Sequence, residues 1–179
     1  INIPTLADDD YVENLAKLIR DGRTGADGVK YPPLDPDLRV YVEYSNEFFN
    51  WQTPVPNWLT TLLVKPAQQD PNHPIMFDCT GSNTTTCGAN LDIARFRYTA
   101  WRAANISKIF RKTFGDAQMM TRVRPVYETQ IGNANYSWLG YGLDFVEKYF
   151  GVERNGEAAH PVNYYFYGAG GAAYYGPMI

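Results

Sequence analysis

Arg39-Val40-Tyr41-Val42-Glu43-Tyr44-Ser45-Asn46-Glu47 is a β-branched and aromatic run after a turn-rich segment, and it reads as a β-strand. Alternation along a strand puts Tyr41, Glu43, Ser45 and Glu47 on one side. Two carboxylates and a hydroxyl are costly on a dry face. They fit a face that lines a cleft open to water at Glu47, and they also fit an exposed edge strand whose acids are solvated. Three aromatic residues, Phe48, Phe49 and Trp51, follow at once.

Outward from this strand, helical and extended patterns alternate. Asn2-Ile3-Pro4 reads as the end of an extended segment. Asp8, Asp9 and Asp10 offer a cap and first-turn charge for a helix through about Arg20, which Gly22 stops. Residues 48–90 carry five prolines and no clean period, with a short helix expected near Trp58–Val64. Leu91–Phe114 and Trp138–Phe150 carry apolar residues at threes and fours and are expected helices. Thr121–Tyr127 and Val162–Tyr167 are expected strands, the second followed by the Gly/Ala/Tyr segment Gly168–Gly176. Strands joined by helices run parallel, so the class is α/β. Three strands and one strand end are too few for an eight-stranded barrel, which needs about 250 residues. An open sheet of that size is possible but would leave its edges unprotected. The 179 residues are therefore expected to be a single partial (β/α)8 TIM-barrel domain with a long loop at about 48–90.

Hydrophobic residues at 45% and charged ones at 20% support a packed core. A net charge of −3 carries no footprint for nucleic acid or an anionic membrane surface. No apolar run approaches the eighteen residues that a membrane span requires. Aromatics reach 15%, an excess that suits flat ligands such as sugar rings. Cys79 and Cys87 lie eight positions apart in a polar stretch without metal-ligand company. They read as a local disulfide of an oxidising compartment, or as two free thiols. Sequons begin at Asn83, Asn105 and Asn135, in keeping with a secreted glycoprotein. Neither a metal nor a cofactor is expected. Arg95, Arg97 and Arg102 read as the solvated face of the long helix.

Glu43-Tyr44-Ser45-Asn46-Glu47, followed by Phe48-Phe49-Asn50-Trp51, resembles the E-x-x-N-E signature of retaining glycoside hydrolases built on (β/α)8 barrels. That group includes many cellulases, xylanases, mannanases and arabinofuranosidases. The wider stretch Val40–Trp51, with Asn2-Ile3-Pro4 before it, is similar to secreted barrels often joined to cellulose-binding modules. The resemblance implies that Glu47 ends the fourth strand as general acid/base and that Asn46 holds the sugar 2-hydroxyl. The chain would then run from the end of strand 3 to about strand 6, with the loop at about 48–90 joining strand 4 to helix 4. Glu43 would orient neighbours from a deeper position. It places the nucleophile at the end of a seventh strand, expected beyond Ile179. Glu128 is a substitute for it, or else a rim residue lining the cleft next to Gln130. Trp51, Trp58 and Trp138 are sugar-stacking platforms or packing anchors. Tyr164, Tyr165, Tyr167, Tyr174 and Tyr175 line a subsite or belong to a tight loop. The substrate implied is a β-linked polysaccharide or oligosaccharide, and the remaining barrel segments of the same polypeptide are expected partners. The alternative is an extracellular protein of barrel-derived fold that binds glycans, or assembles structurally, without turnover.

Overall fold

The computed structural model describes residues 1–80, 85–130 and 137–172. The chain runs through β1 (Asn2–Ile3), α1 (Asp9–Asp21), a small antiparallel pair β2 (Arg23–Thr24) and β3 (Lys30–Tyr31), and β4 (Val40–Tyr44). Next come α2 (Val55–Trp58), a π-helical stretch Leu59–Val64, α3 (Lys65–Gln69) and the long α4 (Leu91–Phe114). β5 (Val123–Gln130), α5 (Ser137–Phe150), α6 (Val162–Tyr165) and β6 (Gly168–Ala172) follow. The main sheet is parallel throughout, in the order β1-β4-β5-β6. The α/β class expected from the alternation is what the chain adopts.

Local chemistry sets the helix ends. The Asp8 side chain accepts from the Tyr11 amide at the start of α1, and Asn90 does the same for Asp92 and Ile93 at the start of α4. Gly22 ends α1 at φ +67, where a Cβ would lie 2.2 Å from the Tyr31 carbonyl oxygen, so only glycine fits. α4 packs between α1 and α5, and the three form one layer against the sheet. Ile3, Val40, Val42, Tyr44, Val123 and Tyr127 are buried against that layer, with Phe110, Phe145 and Val146 opposite. Tyr41, Glu43, Arg124, Val126 and Glu128 alternate onto the second face and are only partly covered. The described helices therefore leave that face open.

Pro125 sits inside β5, a central strand, without costing a ladder bond. Its carbonyl accepts from Tyr167 on the β6 side, so its missing N–H faces the same way. β6 begins only one residue further along, at Gly168 opposite Val126.

Val162–Tyr167 is not a strand: Pro161 precedes the one-turn helix α6, whose Val162 amide is held by Glu147, and Tyr165 and Phe166 reach the core from it. The strand is displaced onto Gly168–Ala172, where pairing with β5 outweighs a weak intrinsic preference. The segment 48–90 is also more regular than its prolines suggest. Helical structure is continuous over residues 55–69, with Pro56 in the first turn of α2 and Pro66 just after the π-helical stretch. The wider turn accommodates a residue that cannot donate to the ladder. Leu59, Val64 and Ile75 bury themselves with Phe48 and Phe96 in a second core cluster.

Arg95, Arg97 and Arg102 are not a solvated face: the connection folds back over the first two, and the start of α1 engages the third. Arg97 is 5% exposed and donates to the carbonyls of Ile75, Phe77 and Thr86, while pairing with Asp78 at 2.9 Å. Arg95 bonds Thr60 Oγ1 and Asp92, and Arg102 bonds Asp9 and the Ala7 carbonyl. Cys79 and Cys87 form the expected disulfide beside Arg97. Among the described residues no helix is long and apolar enough to cross a membrane.

Candidate functional site

β4 stops at Tyr44, three residues short of the length that the alternation requires for Ser45 and Glu47 to share its face. Ser45 takes a φ of +61 and Glu47 one of +49, so the chain turns twice at the strand's exit. Ser45 is buried and its hydroxyl bonds Thr5 Oγ1 at 2.9 Å. The expectation that Ser45 and Glu47 continue the strand's alternation is corrected by these two left-handed residues. Glu47 emerges instead from a turn. Its carbonyl accepts from the Asn50 amide, and its Oε2 accepts from Asn50 Nδ2 at 2.8 Å. Asn46 is exposed, its Oδ1 held at 3.1 Å by Asn2 Nδ2 from the end of β1.

Glu43 and Glu128 stand on the open face. Glu43 is in register with Val126, so Glu128 lies one same-face step further toward the C-terminal edge, opposite Gly170. Burial pushes the Glu43 carboxyl up to about 7, and the neighbouring carboxylates of Glu128 and Glu47 push the same way. Burial also raises Glu128 above the usual carboxylate range. Glu43, Glu47 and Glu128 therefore act on one electrostatic site at the carboxyl ends of β4 and β5, where open α/β sheets gather their reacting groups. A proton is available there near neutral pH. Among the described residues no group of three or more acids, histidines and cysteines is arranged to hold a metal ion.

At the amino end of the same face Tyr41, Arg124 and Tyr167 form a stack. The Arg124 guanidinium lies 4.3 Å from the Tyr167 ring and donates to Tyr41 Oη, and the two rings meet edge to face. Tyr167 thus packs beneath the carboxylates rather than beside them. Tyr165 is buried in the core, and Tyr164 is clamped between Arg111 and His160.

The aromatic residues after Glu47 divide. Phe48 is buried, while Trp51 is 62% exposed and lies over the Arg95 guanidinium at 4.6 Å. Trp138, at the start of α5, stacks on Phe96. Gln130 ends β5 opposite Ala172, where the backbone alone is described. Asn105 is half-buried in mid-α4 and donates its amide to the Trp101 carbonyl. Asn83 and Asn135, with Tyr174 and Tyr175, lie outside the described residues.

Sequence reasoning missed Asn50 as the partner of Glu47, although the three-residue spacing is that of a β-turn. It also missed Arg95, whose place over Trp51 depends on a contact 44 positions away. Compared with protein-family models, curated proteins and solved structures, the chain matches none.

Proposed function

We propose that the chain is the central part of a secreted retaining glycoside hydrolase, acting on a β-linked polysaccharide or oligosaccharide. The observation that carries this reading is the convergence of Glu43, Glu47 and Glu128 on one mouth of a parallel sheet, with Glu43 raised to about 7. Glu47 is the general acid/base, Asn46 the ligand of the 2-hydroxyl, and Glu43 a deeper proton-holding neighbour. Departure of the glycosidic oxygen needs a proton, and contacts to the 2-hydroxyl strengthen as positive charge develops on the sugar. In a retaining mechanism the nucleophile stands about 5–5.5 Å from the acid/base. We assign it to a later strand of a ring that closes over the open face, with Glu128 lining the cleft. A parallel sheet with one bare face supports such closure, because parallel sheets are almost always covered on both sides. The Cys79–Cys87 disulfide supports an extracellular setting.

The test is Glu47→Gln, assayed on aryl glycosides and on xylan, glucan and mannan. A loss of at least a hundredfold in turnover is expected for a general acid. Unchanged turnover on a substrate that the parent hydrolyses removes Glu47 from the mechanism. Glycan binding without turnover is the second reading, favoured by the exposed Trp51 ring, and a parent protein that binds but cleaves none of the panel establishes it.

A further inference from the structure

A hollow of about 260 Å³, lined by Phe48, Trp51, Phe96 and Trp138 together with Asp92 and Arg95, is formed by the segment that follows Glu47 and the starts of α4 and α5. We infer that it is a binding pocket for one pyranose ring of a β-linked oligosaccharide.

Position is the first argument. Every lining residue comes from the chain just past β4 or from the first turns of α4 and α5, the helices that follow β4 and β5. The hollow therefore lies at the C-terminal end of the sheet, as the three carboxylates do, on the side of the helices. Asn50 bonds Glu47, and the next residue is Trp51. Acid and platform thus belong to one turn.

The second argument is how Trp51 is held. A large indole 62% exposed forgoes much of its hydrophobic gain. It rests instead on a guanidinium that is itself anchored by Thr60 Oγ1 at 2.9 Å and by Asp92 at 2.6 Å. An aromatic face supported in this way is a ready platform for a ring with an apolar side.

Chemistry then selects the ligand. A purely apolar guest would cover the donors of Arg95 and the acceptors of Asp92 that their mutual bond leaves over, with nothing to replace water there. An anionic guest would meet the Asp92 carboxylate. A sugar ring satisfies both sides, with C–H groups against the aromatic faces and hydroxyls that donate to Asp92 and accept from Arg95. The volume lies just below the roughly 300–1,000 Å³ of sites for drug-sized ligands, which suits a single ring.

The assignment of the ring to a substrate rests on the glycosidase reading; the binding itself does not. Xylotetraose and cellotetraose are therefore titrated calorimetrically against the parent and Glu47→Gln proteins, the second of which cannot consume them if the hydrolase reading holds. At least one tetrasaccharide is expected to bind both proteins. Trp51→Ala is expected to weaken it about tenfold and Asp92→Asn about fivefold, while Leu62→Ala, at an exposed site outside the pocket, leaves affinity unchanged. Parent-like affinity in Trp51→Ala, or no binding of either saccharide by the parent, overturns the pocket. Full turnover by Glu47→Gln overturns the hydrolase assignment instead, and leaves the binding result standing.

Discussion

Glu43 on β4 and Glu128 on β5 share the uncovered face of the sheet, one same-face step apart, and the charge of Glu128 helps to keep the proton on Glu43. Burial raises Glu128 above the usual carboxylate range, and burial with the neighbouring carboxylates raises Glu43 to about 7. A carboxyl in an unfolded chain titrates near 4.3. The folded state therefore binds this proton more tightly than the unfolded state does. Its contribution to stability is fully present below the unfolded value and is lost as pH rises through about 7. Melting temperature is expected to fall between pH 5 and pH 8, with a smaller fall in Glu43→Gln. Equal falls in the two proteins would exclude Glu43 as the source.

Gly142 of α5 approaches the Tyr127 side chain so closely that a Cβ would lie 2.2 Å from Oη and 2.5 Å from Cζ. Tyr127 cannot retreat, because it is buried and its hydroxyl donates to the Phe96 carbonyl. Gly142→Ala is expected to destabilise by about 1–3 kcal/mol through overpacking. Gly140, on the same helix, has nothing within 4 Å of its Cβ position. Gly140→Ala is expected to stabilise by about 0.5–1 kcal/mol. Urea denaturation of the two variants reads the contrast, which a role for helix propensity alone would not produce.

Arg97 joins three carbonyls and a carboxylate that lie 11 to 22 positions before it in the chain. Arg97→Ala is expected to cost about 3–5 kcal/mol, the range for losing one partner of a buried ion pair. Removing the disulfide through Cys79→Ser with Cys87→Ser is expected to cost about 2–3 kcal/mol on the loop-entropy model. Both changes loosen the same segment, so the triple variant should lose less than the sum of the two effects. Denaturation midpoints along this cycle measure the coupling, and strict additivity would show that the two ties act separately.

Asn105 lies in the middle of α4 with its amide committed to Trp101, and Ser107 of the same sequon is 1% exposed. Peptide mass spectrometry of protein secreted from a glycosylating host is expected to find Asn105 unmodified. A glycan there in folded protein would require α4 to open locally before folding is complete.

Much of the scaffold was legible because its signals are local. Asp8 marks the start of α1 and Gly22 its end, and the threes and fours of α4 survive in its buried face, whereas the Asn90 cap of α4 went unread. β6 was not legible, since glycine and alanine carry no strand preference and the strand exists only through its partner β5. Tyr165 and Phe166 were read as strand because they are apolar, yet a single helical turn delivers them to the same core. At the site, Glu43 and Glu47 could be found from the motif, but their geometry could not. Two left-handed residues at the exit of β4 break the period of two, and no residue type at positions 45 and 47 announces them.

β6 adds no side chain to the row beside Glu128, because its residue there is Gly170. A methyl group at that position would meet the Glu128 carboxylate at an ordinary 3.5 Å, so nothing forbids one. Position 170 is thus a dial: each carbon added there would take hydration from a neighbouring acid and lift its proton affinity, without replacing any of the three carboxylates.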